Sequence, residues 1–365
     1  MNRLEQSYHY DEDGEIDEFC TLLDCAEQIL YFALKEYKEE YKVDYKKFFC
    51  QDINLRLEET QKISLHFNKD YGDDNPFFIE KKIEVDQENV FLKLKEEIDR
   101  GSLIVIRTMI DMLPHYEAYK PNIIGTRDGH FFLIVGYDEN KFFYVDSPFM
   151  LKESCCIKLE NNKAIGIVEE DVLAKAFAVL CEASTLSVQS EHLLDWNMED
   201  RIELILNRIV ENYYLEPQIN TNNSTNRQKY IGRSALERIL EYSQSEQPVE
   251  VLSLILKDFY FTHLMLAKRK ILRMCLMDEK KYSQCNTTEK LIGYIDQSIR
   301  EWDKFKLVLV KNLHVPNKNL KQIVSDKVNK LITIEDSIVK EIRELISESK
   351  QNSYTNKDVL VKNYY

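Results

Sequence analysis

A cysteine nucleophile needs local positive potential to hold its thiolate, an imidazole to exchange protons with it, and an acceptor on the far nitrogen of that imidazole. Cys25 follows Asp24, and Asp24 with Glu27 three residues on reads as a capping box: Asp24 at N-cap, Glu27 at N3, Cys25 at the first helical position. His130 opens one apolar run, HFFLIVGY, and Asp146 closes another, KFFYVD, with Asp138-Glu139-Asn140 between them. Antiparallel pairing of these runs brings His130 and Asp146 to one end of a hairpin. Together the three predict a cysteine catalytic site, with the Cys25 thiol at a helix start, the His130 imidazole brought to it by the fold and Asp146 near that imidazole.

Other residues compete for roles around that centre. Cys20 lies just upstream and is the alternative nucleophile if the helix starts earlier, although Asp24 would then fall inside it. Arg107 and Asp111 sit where the run Leu103–Met109 leads out toward the same end, His115 and Tyr119 come after Pro114, and all four are substrate-binding candidates; a structural ion pair is an equal reading for Arg107 and Asp111. Lys268, Arg269, Lys270 and Arg273 cluster on one helical stretch, either a solvated face or a dock for an acidic partner. With eight cysteines but neither CxxC nor HxxxH spacing, no metal site is expected, and the remaining thiols read as packing.

The elements that must hold these residues change character near residue 190. Before it, a helix from Cys25 to about Tyr41 and another around Asn89–Arg100 accompany strand-like runs at Lys62–Phe67, Phe77–Val85, Leu103–Met109, His130–Tyr137 and Lys141–Asp146. After it, helices are predicted at Met198–Tyr214, from the Ser234-x-x-Glu237 cap, from Pro248 toward Met277, at Glu289–Asn312 and at Asn319–Ser349, with a polar loop at Gln218–Gln228. For 365 residues this gives an α+β chain of two domains, 1–190 with a sheet and 191–365 an α-helical bundle. Asn319–Ser349 is long enough to pack within the bundle or across a homodimer.

A net charge of −14 repels nucleic acid at long range, and 44% hydrophobic residues with 21 Tyr and 17 Phe supply real cores. No apolar stretch approaches the roughly 18 residues of a membrane span and the first residues lack a signal-peptide core, so the expectation is a cytoplasmic protein without a membrane partner. No glycine-rich phosphate loop occurs among the 9 Gly.

Three segments, DCAEQILYFALKEY, RGSLIVIRTMIDMLPHYEAYK and GHFFLIVGYDENKFFYVDSPF, resemble the papain-like fold in its bacterial C39-like form. The resemblance spans roughly residues 15–190 and, more narrowly, is to the butirosin-biosynthesis acyltransferase type, with a weaker echo in YIGRSALERILEY, which is similar to the start of that type's helical second domain. It implies Cys25, His130 and Asp146 as the triad and an acyl transfer in natural-product biosynthesis: an acyl or peptidyl carrier protein presents a phosphopantetheine thioester, and a small amine accepts the acyl group. It implies no cofactor on the enzyme itself, because the thioester already carries the activation. A C39-like peptidase or thioester hydrolase, and an inactive binding scaffold, are the alternatives. The chain departs from the papain pattern at Phe19-Cys20-Thr21-Leu22-Leu23, where no Gln precedes the nucleophile, so the oxyanion hole would rest on the Cys25 N–H and an unidentified second donor.

Overall fold

The computed structural model describes residues 18–41, 44–59, 63–66, 78–84, 89–109, 129–146, 156–159, 163–188, 198–220, 227–245, 259–283, 285–314 and 319–362. The fold is mixed α+β with antiparallel sheets. It forms two compact units, Met1–Tyr45 with Tyr71–Trp196, and Lys46–Asp70 with Asn197–Tyr365. Among the described residues no helix is long and apolar enough to cross a membrane.

In chain order the first half contains α1 (Cys25–Tyr41), α2 (Tyr45–Phe49), β1 (Arg56–Glu59), β2 (Ile63–His66), β3 (Phe78–Lys82), α3 (Val90–Asp99), β4 (Leu103–Met109), β5 (Gly129–Asp138), β6 (Lys141–Val145), β7 (Cys156–Leu159), β8 (Lys163–Glu169), α4 (Glu170–Phe177) and β9 (Glu182–Val188). The first unit is built on a seven-stranded sheet ordered β3-β9-β4-β5-β6-β8-β7. Its helix α3 buries Val90, Leu94 and Ile98, one residue per turn, and stops at Gly101. With φ +81° Gly101 takes the left-handed conformation; its N–H donates to Ile98 O and that of Ser102 to Glu97 O, a Schellman ending that turns the chain directly into β4. In the core beneath α3 and α4, Tyr144 packs edge-on to Phe132 and lies over Gly166, where any side chain would meet the Tyr144 ring.

The second unit adds α5 (Met198–Tyr213), β10 (Gln218–Asn220), β11 (Arg227–Ile231), α6 (Arg233–Gln244), α7 (Phe259–Asp278), α8 (Lys280–Ser283), α9 (Asn286–His314) and α10 (Leu320–Lys362). The helices expected at Met198–Tyr214, Glu289–Asn312 and Asn319–Ser349 are present, and α7 covers the later part of the helix expected from Pro248, residues 246–258 lying outside the described residues; the unit also holds a four-stranded sheet, β10-β11-β1-β2, that the sequence does not signal. The expected loop Gln218–Gln228 supplies β10 and the start of β11; residues 221–226 lie outside the described residues. What makes it a sheet is β1, far upstream, whose Leu57 pairs with Tyr230 and sits with Leu55 in the same core as Leu236, Ile239 and Phe305. Ser234 is not the cap of α6. Gly232 holds that position, and the Ser234 hydroxyl accepts from the Ile231 N–H at 3.0 Å.

The basic stretch on α7 is corrected as well. Lys268 and Arg269 are buried and Arg273 pairs with Asp296 at 2.9 Å, so the run is not one continuous solvated or docking face; Lys270 alone of the four is exposed as expected. Arg269 donates to Ser298 Oγ at 2.9 Å, Met265 O at 3.1 Å and Glu335 Oε1 at 2.8 Å. Glu335 also accepts from Ser298 at 2.6 Å and from the Trp302 indole at 3.1 Å, tying α7, α9 and α10 together. Deleting one member strands the other charge in the core. Glu335→Ala is expected to lower the unfolding free energy by about 3–5 kcal/mol in urea denaturation; a change below roughly 1 kcal/mol would show the network to be dispensable.

Candidate active site

The start of α1 is set by local chemistry, as the sequence indicates. Asp24 Oδ1 accepts from the Glu27 N–H at 2.9 Å, Glu27 Oε2 accepts from the Asp24 N–H at 3.1 Å, and the helix begins at Cys25. This leaves Cys25 in the first turn of a 17-residue helix, where the aligned peptide dipoles favour an anion. The capping box does not use the N–H groups of Cys25 and Ala26. Cys25 is partly exposed, whereas Cys20 sits in a 3₁₀ turn (Cys20–Leu22) at 0% exposure. Side chains of α1 at Ile29, Ala33 and Leu34 are buried, and the helix packs against β5 and β9.

His130 and Asp146 meet because β5 carries a bulge. From the turn, Asp138 pairs with Lys141, Tyr137 with Phe142 and Gly136 with Phe143; beyond the irregularity Ile134 pairs with Tyr144 and Leu133 with Val145. Continued to the end of β6, this register sets Asp146 opposite Phe132, so that His130, two residues along, shares its face. Without the extra residue Asp146 would oppose Leu133 and point away from His130, since a one-residue slip turns every side chain to the other side. The hairpin was legible in the sequence and the bulge was not, although Gly136 inside a strand is the kind of residue that marks one.

The resulting contact is close and buried. His130 Nε2 lies 2.8 Å from both carboxylate oxygens of Asp146, with side-chain exposures of 6% and 1%. An ionised carboxylate only accepts, so Nε2 carries the proton and Nδ1 is left for Cys25, whose thiol is the other hydrogen-bond partner of the ring. Burial by itself would push the imidazole toward its neutral form. The Asp146 charge and hydrogen bond, and then the hydrogen bond and charge of Cys25, outweigh it and raise the His130 pKa to about 10. At neutral pH the imidazole is therefore held protonated beside the Cys25 thiol.

No family model matches the chain, and no curated protein matches it.

Among the substrate-binding candidates, Arg107 pairs with Phe131 in the β4–β5 register, one residue out of step with His130, and so faces the other side of the sheet. There it bonds Glu182 at 3.0 Å and lies over the Phe131 ring. Asp111, His115 and Tyr119 lie outside the described residues. Two site neighbours escaped the sequence reading. Thr108 pairs directly with His130 across the strands, fully buried, its hydroxyl donating to Leu180 O at 2.7 Å. Gln28, one turn into α1, donates from Nε2 to Cys20 O and to Leu23 O, each at 3.1 Å. Neither residue has a local sequence signature, because each is defined by partners that only folding supplies. Cys181, by contrast, is held inert: burial, then Glu182, pushes its thiol up to about 11.

Proposed function

We propose that this protein is a cysteine-dependent acyltransferase of papain-like architecture, forming amides from an acyl group delivered as a carrier-protein thioester. The observation that carries the reading is the Cys25–His130–Asp146 constellation: a thiol in the first turn of a capped helix, bonded to an imidazole whose far nitrogen is clamped by a buried carboxylate. The order helix-Cys, strand-His, strand-Asp is the one the sequence resemblance implies. In the reaction Cys25 Sγ attacks the thioester carbonyl, the phosphopantetheine thiolate leaves with the proton from His130 Nδ1, and the acyl group stays on sulfur. The amine then attacks the acyl-cysteine, gives its proton to His130, and Cys25 departs as thiolate. The Cys25 N–H, unused by the capping box, supports the tetrahedral oxyanion.

One thioester replaces another in the first half, so that step is near neutral in free energy and the aminolysis supplies the driving force. The test is intact-protein mass spectrometry after exposure to a panel of acyl thioesters, with and without simple diamines. Expected is a mass gain equal to one acyl group, discharged by amine faster than by water. Faster discharge by water would make the protein a hydrolase, and no loading by any thioester would leave it a binding scaffold.

A further inference from the structure

The turn that delivers Cys25 is held by more polar side chain than a helix start requires. Asp24, Glu27 and Gln28 are all buried, and the first two already complete a capping box. The turn is also anchored by packing: the Phe19 ring lies tilted against Tyr31 of α1 and Tyr45, with centroids 5.6 Å and 5.1 Å away. Gln28 comes on top of this. Its amide nitrogen spends both hydrogens on Cys20 O and Leu23 O, bracing the turn against the second turn of α1, and this fixes the orientation of the amide. The price is Gln28 Oε1, a buried acceptor with no partner among the described residues. A methionine would fill the same space without that orphan, at the loss of both bonds to the turn, so the distinctive product of a glutamine here is the brace on the residues that precede Cys25.

We propose that Gln28 is a positioning residue for Cys25, holding the peptide before the nucleophile so that the thiol stays aimed at His130 and its N–H at the oxyanion. Leu23 and Asp24 are the last residues before Cys25, and a brace on the Leu23 carbonyl restricts the rotation that would swing the first helical turn. Displacements below 1 Å at such a point are enough to break a thiol–imidazole hydrogen bond.

The inference rests on the proposed thiolate–imidazolium pair, and the test separates the two. Iodoacetamide alkylation of Cys25 is followed by mass from pH 5.5 to 9.5 in wild type, Gln28→Met and Gln28→Leu, with thermal midpoints measured alongside. Expected is a nearly flat wild-type profile, and variants that still melt cooperatively within a few degrees of wild type yet alkylate about tenfold more slowly at pH 6.5, their rates climbing with pH through the ordinary thiol range near 8.5. Variants that fold and keep the wild-type profile overturn the role of Gln28 alone. A wild-type profile already that of an ordinary thiol overturns the ion-pair reading itself. If neither variant folds, Gln28 serves stability and the proposal is wrong.

Discussion

Replacing Cys25 with alanine is expected to abolish acyl loading and to lower turnover by roughly 10^4-fold or more, while Cys20→Ala loads like wild type. Both thiols belong to the same short segment, so the contrast between them isolates what position does. Cys20 is sealed in the 3₁₀ turn at 0% exposure, where no carbonyl substrate can reach it. Cys25 is partly exposed, in the first turn of α1 and in hydrogen-bond contact with His130. Because a partly exposed Cys→Ala change removes little buried volume, the thermal midpoint of Cys25→Ala should stay within a few degrees of wild type. Loading of Cys25→Ala with loss in Cys20→Ala would reverse the assignment.

The second large effect concerns Asp146. In wild type its carboxylate is the main influence raising the His130 pKa to about 10 against the pull of burial, so the acylation rate should not fall through loss of the imidazole proton until the pH approaches 10. Asp146→Asn keeps a hydrogen-bond acceptor but removes the charge, leaving burial to favour neutral imidazole. Cys25 must then ionise without a cationic neighbour, and the rate at pH 7 should fall roughly 30-fold and recover only toward the ordinary thiol pKa. Stability follows the same linkage. Because the folded pKa of His130 is raised, its stabilising contribution is full below the unfolded value near 6.5 and is lost as pH rises through about 10. That contribution is at most about 5 kcal/mol, and Asp146→Asn should lack most of it. Thermal midpoints of the two proteins should therefore converge between pH 7 and 10. A constant gap across that range would mean that His130 is not charged in the folded state.

What could be read from the residue string was what neighbours in sequence decide. The Asp24–Glu27 box placed Cys25 in the first helical turn because a cap is made by groups three residues apart. The β5–β6 hairpin and the long helices α9 and α10 were legible for the same reason, since turn residues and helical periodicity are local signals. Three decisions belonged to the tertiary structure. The bulge between Ile134 and Gly136 put Asp146 on the face of His130, a matter of register that depends on how both sheet faces pack. Pairing of β1 with β11 built a sheet into the second unit from segments that no short window connects. The burial of Lys268 and Arg269 became tolerable through partners such as Glu335, which α10 brings to Arg269 from 66 residues away. A charge run has no fixed address in sequence, because whether it meets water or a buried carboxylate is settled by which helices pack around it.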